Sequence, residues 1–283
     1  MRRAVILGGT GLVGRAVARR LLRAGWRVDL TGRDVARIPA DLAASGAVFH
    51  TAERSDDAAT ARLLGDGADL LVDCLCFTAA DARSLLPLLP DVSSTVMVSS
   101  KAVYVDAAGN HVNSPVKPRF DGPVREDTPT VAPDLSGDFD SPAGYGANKV
   151  AAEQELLGSG HPVTVLRASK VHGEGAAPAR EWVFVRRALD GRRTLLLADR
   201  GRGVDHPTAA ANLAAVVEVV AERPAARVLN SADPDAPDAP ARSPGPSPGS
   251  WATPGTRCCS TSRPPPPTSA GHPGARRRRS SST

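Results

Sequence analysis

Three groups of residues in this chain have the types and spacing that chemistry needs. Tyr145-Gly146-Ala147-Asn148-Lys149 sets a phenol and an ammonium four positions apart. On a helix these project from one face. A cation beside a phenol favours the phenolate, so Tyr145 is placed to pass a proton to or from a carbinol oxygen. Gly8-Gly9-Thr10-Gly11-Leu12-Val13-Gly14 carries glycines at 8, 11 and 14. Where a strand turns into a helix, Gly8 permits the bend, Gly11 lets backbone approach a pyrophosphate, and Gly14 allows close helix–strand packing. Thr10, Leu12 and Val13 fall in the same phosphate-facing segment. The helix start adds free N–H groups and the positive end of the helix dipole. The third group is Val98-Ser99-Ser100-Lys101. A serine at the carboxyl end of a sheet strand lies where open α/β folds bind ligands, so Ser99 or Ser100 is placed to hold a substrate oxygen against Tyr145.

These residues need elements to position them, and the chain alternates short β-branched runs with helical patterns. Strands are expected at Ala4–Leu7, Arg27–Leu30, Ala47–His50, Leu70–Cys74, Thr95–Ser99, Val163–Arg167 and Arg227–Asn230. Helices are expected after the glycine loop, with Val13, Val17 and Leu21 on one face and Gly25 at the C-cap, and at Asp57–Leu64, Ala79–Leu86, Tyr145–Leu157, Glu181–Leu189 and Thr208–Ala221. Thr208 is the expected N-cap of the last one. The pattern predicts an α/β fold built on a doubly wound parallel sheet. The stretch 105–144, with six prolines, reads as a long surface excursion of the kind that serves as a lid or binding loop.

The end of the second strand chooses the cofactor. An acidic residue there would bind the ribose diol of NAD, but Thr31-Gly32-Arg33 precedes Asp34. Arg33 suits a 2′-phosphate, so NADP is expected, with NAD left open. Asp56 or Asp57 is placed either to accept from the adenine amino group or to start a helix.

Composition narrows the class. The chain has 283 residues, of which 41% are hydrophobic and 23% charged, ordinary for a folded protein. No apolar run reaches membrane-span length, and glycines and arginines break up the apolar start, so neither a span nor a signal peptide is expected. Four cysteines without zinc-site spacing fit a reducing cytoplasm. Of the net charge of +5, residues 231–283 supply all but +1, which argues against a nucleic-acid-binding face on the body. That tail holds 12 of 25 prolines, one aromatic, and the run Arg276–Arg279. It reads either as a natural disordered tail or as sequence from a shifted reading frame, and no function is assigned to it. The expected organisation is a nucleotide-binding domain over 1–164, its remaining strands with a partial substrate region over 165–230, and the tail over 231–283.

Taken together, these motifs resemble the extended short-chain dehydrogenase/reductase superfamily, the NAD(P)-dependent epimerase/dehydratase group, from Arg3 to about Asp233. GGTGLVG at 8–14 is similar to its GxxGxxG loop, SSKAVY at 99–104 to its SSxxVYG stretch, and YGANK at 145–149 to its YxxxK. REDTPTVAP at 125–133, VLRASKVHG at 165–173 and HPTAAANLAAVVEVV at 206–220 resemble further family segments. The resemblance implies a Rossmann fold with a small, incomplete C-terminal substrate region. It also implies a catalytic Ser100, Tyr145 and Lys149, with Lys149 bonding the nicotinamide ribose. The implied activity is an NAD(P)-dependent oxidoreductase or epimerase working on the carbonyl or carbinol of a small or sugar-like substrate.

The chain also departs from the pattern. Lys101-Ala102 stand where the family's dehydratases carry Asp-Glu, which argues against water elimination. Asp73-Cys74-Leu75-Cys76-Phe77 replaces the usual segment after the fourth strand and is expected to border the nicotinamide, with Cys74 among the cofactor-facing residues. Ala168 and His172 replace a proline and a tyrosine, and the aspartate usual near His206-Pro207-Thr208 is missing. Relatives commonly dimerise through the YxxxK helix, which leaves a homodimer open. The competing reading is a cofactor-binding sensor or an RNA-associated protein on the same fold. The intact trio argues against the first, and the small body charge against the second.

Overall fold

A computed structural model describes residues 1–198, 206–233 and 257–261. Its elements, in chain order, are β1 (Arg3–Leu7), α1 (Leu12–Arg23), β2 (Arg27–Gly32), α2 (Ala40–Ala44), β3 (Val48–Thr51), α3 (Asp57–Leu64), β4 (Leu70–Asp73), α4 (Ala79–Leu85) and β5 (Thr95–Ser100). There follow α5 (Gly144–Leu157), β6 (Val163–Ala168), β7 (Lys170–His172), α6 (Trp182–Leu189), β8 (Thr194–Ala198), β9 (Pro207–Ala209), α7 (Ala210–Glu222), β10 (Arg227–Ser231) and β11 (Arg257–Thr261).

Side chains alternate across the strands, and both faces are covered. Ala4 and Ile6 of β1, Leu70 and Val72 of β4 and Val96 of β5 pack with Val17 and Leu21 of α1 and Leu213 and Val217 of α7. Their neighbours Val5, Leu7, Leu71 and Met97 pack on the opposite face with Leu64 of α3, Leu85 of α4 and Leu156 of α5. Each fully buried Leu or Ile contributes roughly 1.5–3 kcal/mol, so these two layers supply the main folding drive. The result is one seven-stranded sheet in the order β10-β6-β5-β4-β1-β2-β3, parallel at every pairing. The order reverses beside β1, between β4 and β2, which puts the glycine loop at the switch point where open α/β sheets bind ligands.

The expected doubly wound α/β sheet is therefore present, with each of the seven expected strands in it. Differences lie at its margins. Thr208 does not cap α7. It sits in β9, which pairs with β7, and its hydroxyl meets Ser231 while Ala209 takes the N-cap position. The helix expected from Glu181 begins at Trp182 and buries none of its residues. The tail expected to lack structure lies largely outside the described residues. Within it, Ser231 ends β10, and Arg257–Thr261 pairs in parallel with β8. That pairing corrects the structureless reading for these five residues, because backbone hydrogen bonds to a strand edge need no apolar side chains.

The excursion after β5 is tied down at several points. Tyr104 bridges Thr130, and the Asp106 carboxylate accepts from the backbone N–H of Ala108, Asn110 and Arg119. Nearer α5, the buried Asn148 side chain accepts from Gly137 N–H and donates to Gly144 O.

Candidate active site

Residues from β1, β2, β5 and α5 converge at the carboxyl edge of the sheet. The glycine loop follows β1 directly. Gly8 has φ +81°, a conformation that favours glycine, and its N–H donates to the Thr31 hydroxyl at 3.2 Å. A Cβ on Gly14 would lie 2.4 Å from Gly8 O and 2.7 Å from Gly9 Cα, both backbone atoms that cannot swing away. The bare backbone at Gly14 is thus what lets α1 start against the loop. Gly11 caps α1 with no side-chain hydrogen bond, and no acidic residue occupies the first turn. The free N–H groups and dipole of that turn are what a pyrophosphate needs. Thr10 lies beside the loop with its hydroxyl close to Gly32, while Leu12 and Val13 open the helix.

At the end of β2, Arg33 is exposed. The Asp34 carboxylate accepts from Ala36 N–H at 2.9 Å and so caps a short 3-10 turn. Arg15, on α1, donates to Arg37 O at 3.1 Å, and its Nε is buried without a partner. Asp56 accepts from Ala59 N–H at 2.8 Å as the N-cap of α3, the helix-starting role left open by the sequence.

The two candidate serines have different partners. Ser99 turns inward and donates to Glu153 Oε1. Ser100, the last residue of β5, accepts from Ala102 N–H and hydrogen-bonds the Tyr145 phenol. Gly146 makes that meeting possible, since a Cβ there would lie 2.6 Å from Ala102 O and hold α5 off the turn after β5. Tyr145 and Ser100 both line a cavity of about 330 Å³.

Lys149 is placed differently from its expected role beside the phenol. Its Nζ donates to Cys76 O at 2.7 Å and Val98 O at 2.9 Å and lies 4.3 Å from the centre of the Phe77 ring. The side chain is 2% exposed, and burial lowers its pKa. Burial likewise raises the Tyr145 phenol, with the Ser100 hydrogen bond acting in the other direction. The ammonium is held on backbone carbonyls, where it also fixes β5 to the segment after β4. That segment places Phe77 at the site, stacked on Phe139 of the excursion at 5.0 Å and tilted against Tyr145 at 6.4 Å. Cys74 and Cys76 are free thiols, and burial pushes Cys74 up to about 12 and Cys76 up as well. Both are protonated packing groups at neutral pH, not nucleophiles.

Behind the site, Arg167 of β6 clasps Glu153 of α5 through its Nε and Nη2, the latter at 2.6 Å from Oε2. Its Nη1 donates to the Tyr104 hydroxyl and to Glu126 O, and Tyr104 donates onward to Asn230 Oδ1 at 2.7 Å. This buried network joins α5, β6, β10 and the excursion. His172 pairs with Asp233 at 3.2 Å, and Asp233 also accepts from Ala209 N–H and Asn212. His172 thus joins β7 to the segments around α7. A larger cavity of about 670 Å³ lies along β2–β3 around Asp29, Arg3 and His50, and is lined by none of Ser100, Tyr145, Lys149 or the glycine loop. Among the described residues, no His/Cys/Asp/Glu group could hold a metal, and no helix is long and apolar enough to cross a membrane.

Sequence reasoning missed Lys170 and Arg180, which line the cavity with Tyr145, and the Phe77–Phe139 stack. Each joins positions far apart in the chain, so no local spacing announces it.

Comparison with known proteins agrees with this fold. A search of curated proteins by sequence finds no match. The fold is similar to dTDP-glucose 4,6-dehydratase from Bacillus anthracis str. Ames in complex with NAD, at TM-score 0.62 and 17% identity, over 82% of this chain and 75% of that one. It is also similar to UDP-N-acetylglucosamine 4-epimerase from Bacillus cereus (TM-score 0.60, 16% identity, 83% and 76% covered). UDP-glucose 4-epimerase from Thermus thermophilus in complex with NAD gives TM-score 0.60 and 17% identity, over 81% of this chain and 77% of that one. The profile of the NAD dependent epimerase/dehydratase family matches residues 4–227, four-fifths of the sequence. The chain belongs to the NAD dependent epimerase/dehydratase family, whose members are enzymes of the extended short-chain dehydrogenase type.

Proposed function

We propose that this protein is an NADP-dependent oxidoreductase or epimerase that acts on the carbonyl or carbinol of a small or sugar-like substrate. The observation that carries the reading is the hydrogen bond between Ser100 and Tyr145 in a cavity at the sheet edge that also bears the glycine loop. The backbone cradle at Gly8, Gly11 and Gly14 and the start of α1, which has no side-chain cap, fit a dinucleotide pyrophosphate. When bound, the nicotinamide supplies or accepts the hydride. Ser100 would hold the substrate oxygen, and Tyr145 would give that oxygen a proton during reduction or take one during oxidation. Lys149 would leave the carbonyls of Cys76 and Val98 to bond the nicotinamide ribose. Its positive charge would then reach the phenol and lower it.

The preference for NADP over NAD rests on Arg33, which is exposed directly after β2. The Arg15 guanidinium donates to the backbone carbonyl of Arg37 in the turn that follows. Asp34, the carboxylate nearest in sequence, is committed to the 3-10 turn. Arginines match a 2′-phosphate, whereas a ribose diol calls for a carboxylate.

Tyr145→Phe tests the chemistry. Against a panel of carbonyl compounds with NADPH, turnover is expected to fall by about 10²–10⁴-fold, the usual size of a lost acid–base group, with cofactor affinity retained. Unchanged turnover would overturn the reading.

A further inference from the structure

We infer that Arg54 and Asp73 are positioning residues: as a buried ion pair they shape the turn after β4, which meets the glycine loop on one side and Lys149 and Tyr145 on the other. The inference rests on the oxidoreductase reading and adds two residues that act through that turn. Asp73 ends β4, beside Leu7 of β1 in the sheet, and is fully buried. A carboxylate there persists only if its oxygens are engaged. Arg54, between β3 and α3, donates from Nε to Oδ2 at 2.8 Å, and the Leu75 N–H donates to Oδ1 at 2.7 Å. Burial raises the Asp73 carboxyl, with the Arg54 guanidinium the strongest opposing influence.

Arg54 itself is 9% exposed, and its other nitrogens reach α4. Nη1 donates to the Ser84 hydroxyl at 3.2 Å and Nη2 to Asp81 O at 2.7 Å. The Asp81 carboxylate accepts in turn from Phe77 N–H at 3.0 Å and Thr78 N–H at 2.8 Å. One planar guanidinium thus ties together both ends of the turn, which a lysine could hold only as a point charge. Between those ends, three residues face the site. Leu75 lies against the glycine loop, since a Cβ on Gly8 would be 2.8 Å from its Cγ. Cys76 O takes the Lys149 ammonium, and the Phe77 ring lies against both Lys149 and Tyr145. Neither Arg54, Asp73 nor any residue of the turn lines the cavity that holds Ser100. The pair therefore acts on the glycine loop and Lys149, and leaves the substrate chamber alone.

The test uses the full chain carrying Arg54→Lys, or Arg54→Gln together with Asp73→Asn. The first keeps the charge pair and the second removes both charges, so neither strands a buried ion, and urea midpoints should stay near that of the unaltered chain. NADPH should bind about 5-fold or more weakly by calorimetry in both. For an accepted carbonyl compound, kcat should fall about 10-fold or more, while KM for that compound is unchanged. General loosening of the fold would raise that KM as well. Native NADPH affinity and kcat in the two variants, a KM for the carbonyl compound that rises in step with the other losses, or unfolding of both would each overturn the inference, the last by assigning the pair to stability alone. Turnover lost in Tyr145→Phe yet native in the Arg54 variants would remove this inference and leave the oxidoreductase reading standing. Weakened NADPH binding in those variants, with turnover indifferent to Tyr145, would do the reverse.

Discussion

The phenol of Tyr145, in the first turn of α5, hydrogen-bonds the hydroxyl of Ser100, the last residue of β5. Two features make that contact. Gly146 lets the helix settle on the backbone of the turn after β5, and Ser99 points inward to Glu153, which leaves Ser100 facing the cavity.

Gly146→Ala should separate the pair. The added Cβ would meet Ala102 O at 2.6 Å, so α5 must lift. Turnover is expected to fall by about 10-fold or more, since small displacements of reacting groups cost that much. NADPH affinity, measured by calorimetry, should change little because the glycine loop lies elsewhere.

The pH profile follows from the phenol. Burial holds Tyr145 above its ordinary value, opposed by Ser100. Reduction needs the neutral phenol, so kcat/KM for carbonyl reduction should fall on the alkaline side, as pH rises through the phenol's value in the cofactor complex. Burial raises that value, and Ser100 and Lys149 lower it. Oxidation needs the phenolate and should rise across that same alkaline range. Ser100→Ala removes the opposing hydrogen bond, so both alkaline limbs should move to higher pH. Stopped-flow rates across buffers from pH 6 to about 10.5 check the direction of both, because kcat/KM reports the groups before substrate binds.

Most of the fold was legible because parallel strands covered on both faces read as short apolar runs, and Val5–Leu7 and Leu70–Val72 are such runs. Tyr145 and Lys149 were legible from helical spacing, and Ser100 from its place at a strand end. The partners of Lys149 were not, because the carbonyls of Cys76 and Val98 are backbone atoms without a residue-type signal. Nor was the role of Thr208: β7 and β9 have three residues each, too short to show a period. The stack of Phe139 on Phe77 depends on where a long excursion folds back, which local sequence does not encode.

The Arg167–Glu153 pair should be expensive to break singly. Their side chains are 8% and 2% exposed, so Arg167→Met leaves a carboxylate buried without its cation. Urea denaturation should show a loss of about 3–5 kcal/mol, and adding Glu153→Met should recover most of it. The double variant should still turn over more slowly, since Arg167 also holds Tyr104 and the excursion at Glu126.

Gly14 tests the cradle on which the cofactor assignment depends, and Arg33 tests its selectivity. Calorimetric titration of NADPH and NADH into the full chain, with Gly14→Ala and Arg33→Ala beside it, addresses both most directly. The account predicts NADPH binding tighter than NADH, loss of both in Gly14→Ala, and loss of the NADPH advantage alone in Arg33→Ala. Failure of the unaltered chain to bind either dinucleotide, or full binding by Gly14→Ala, would contradict it.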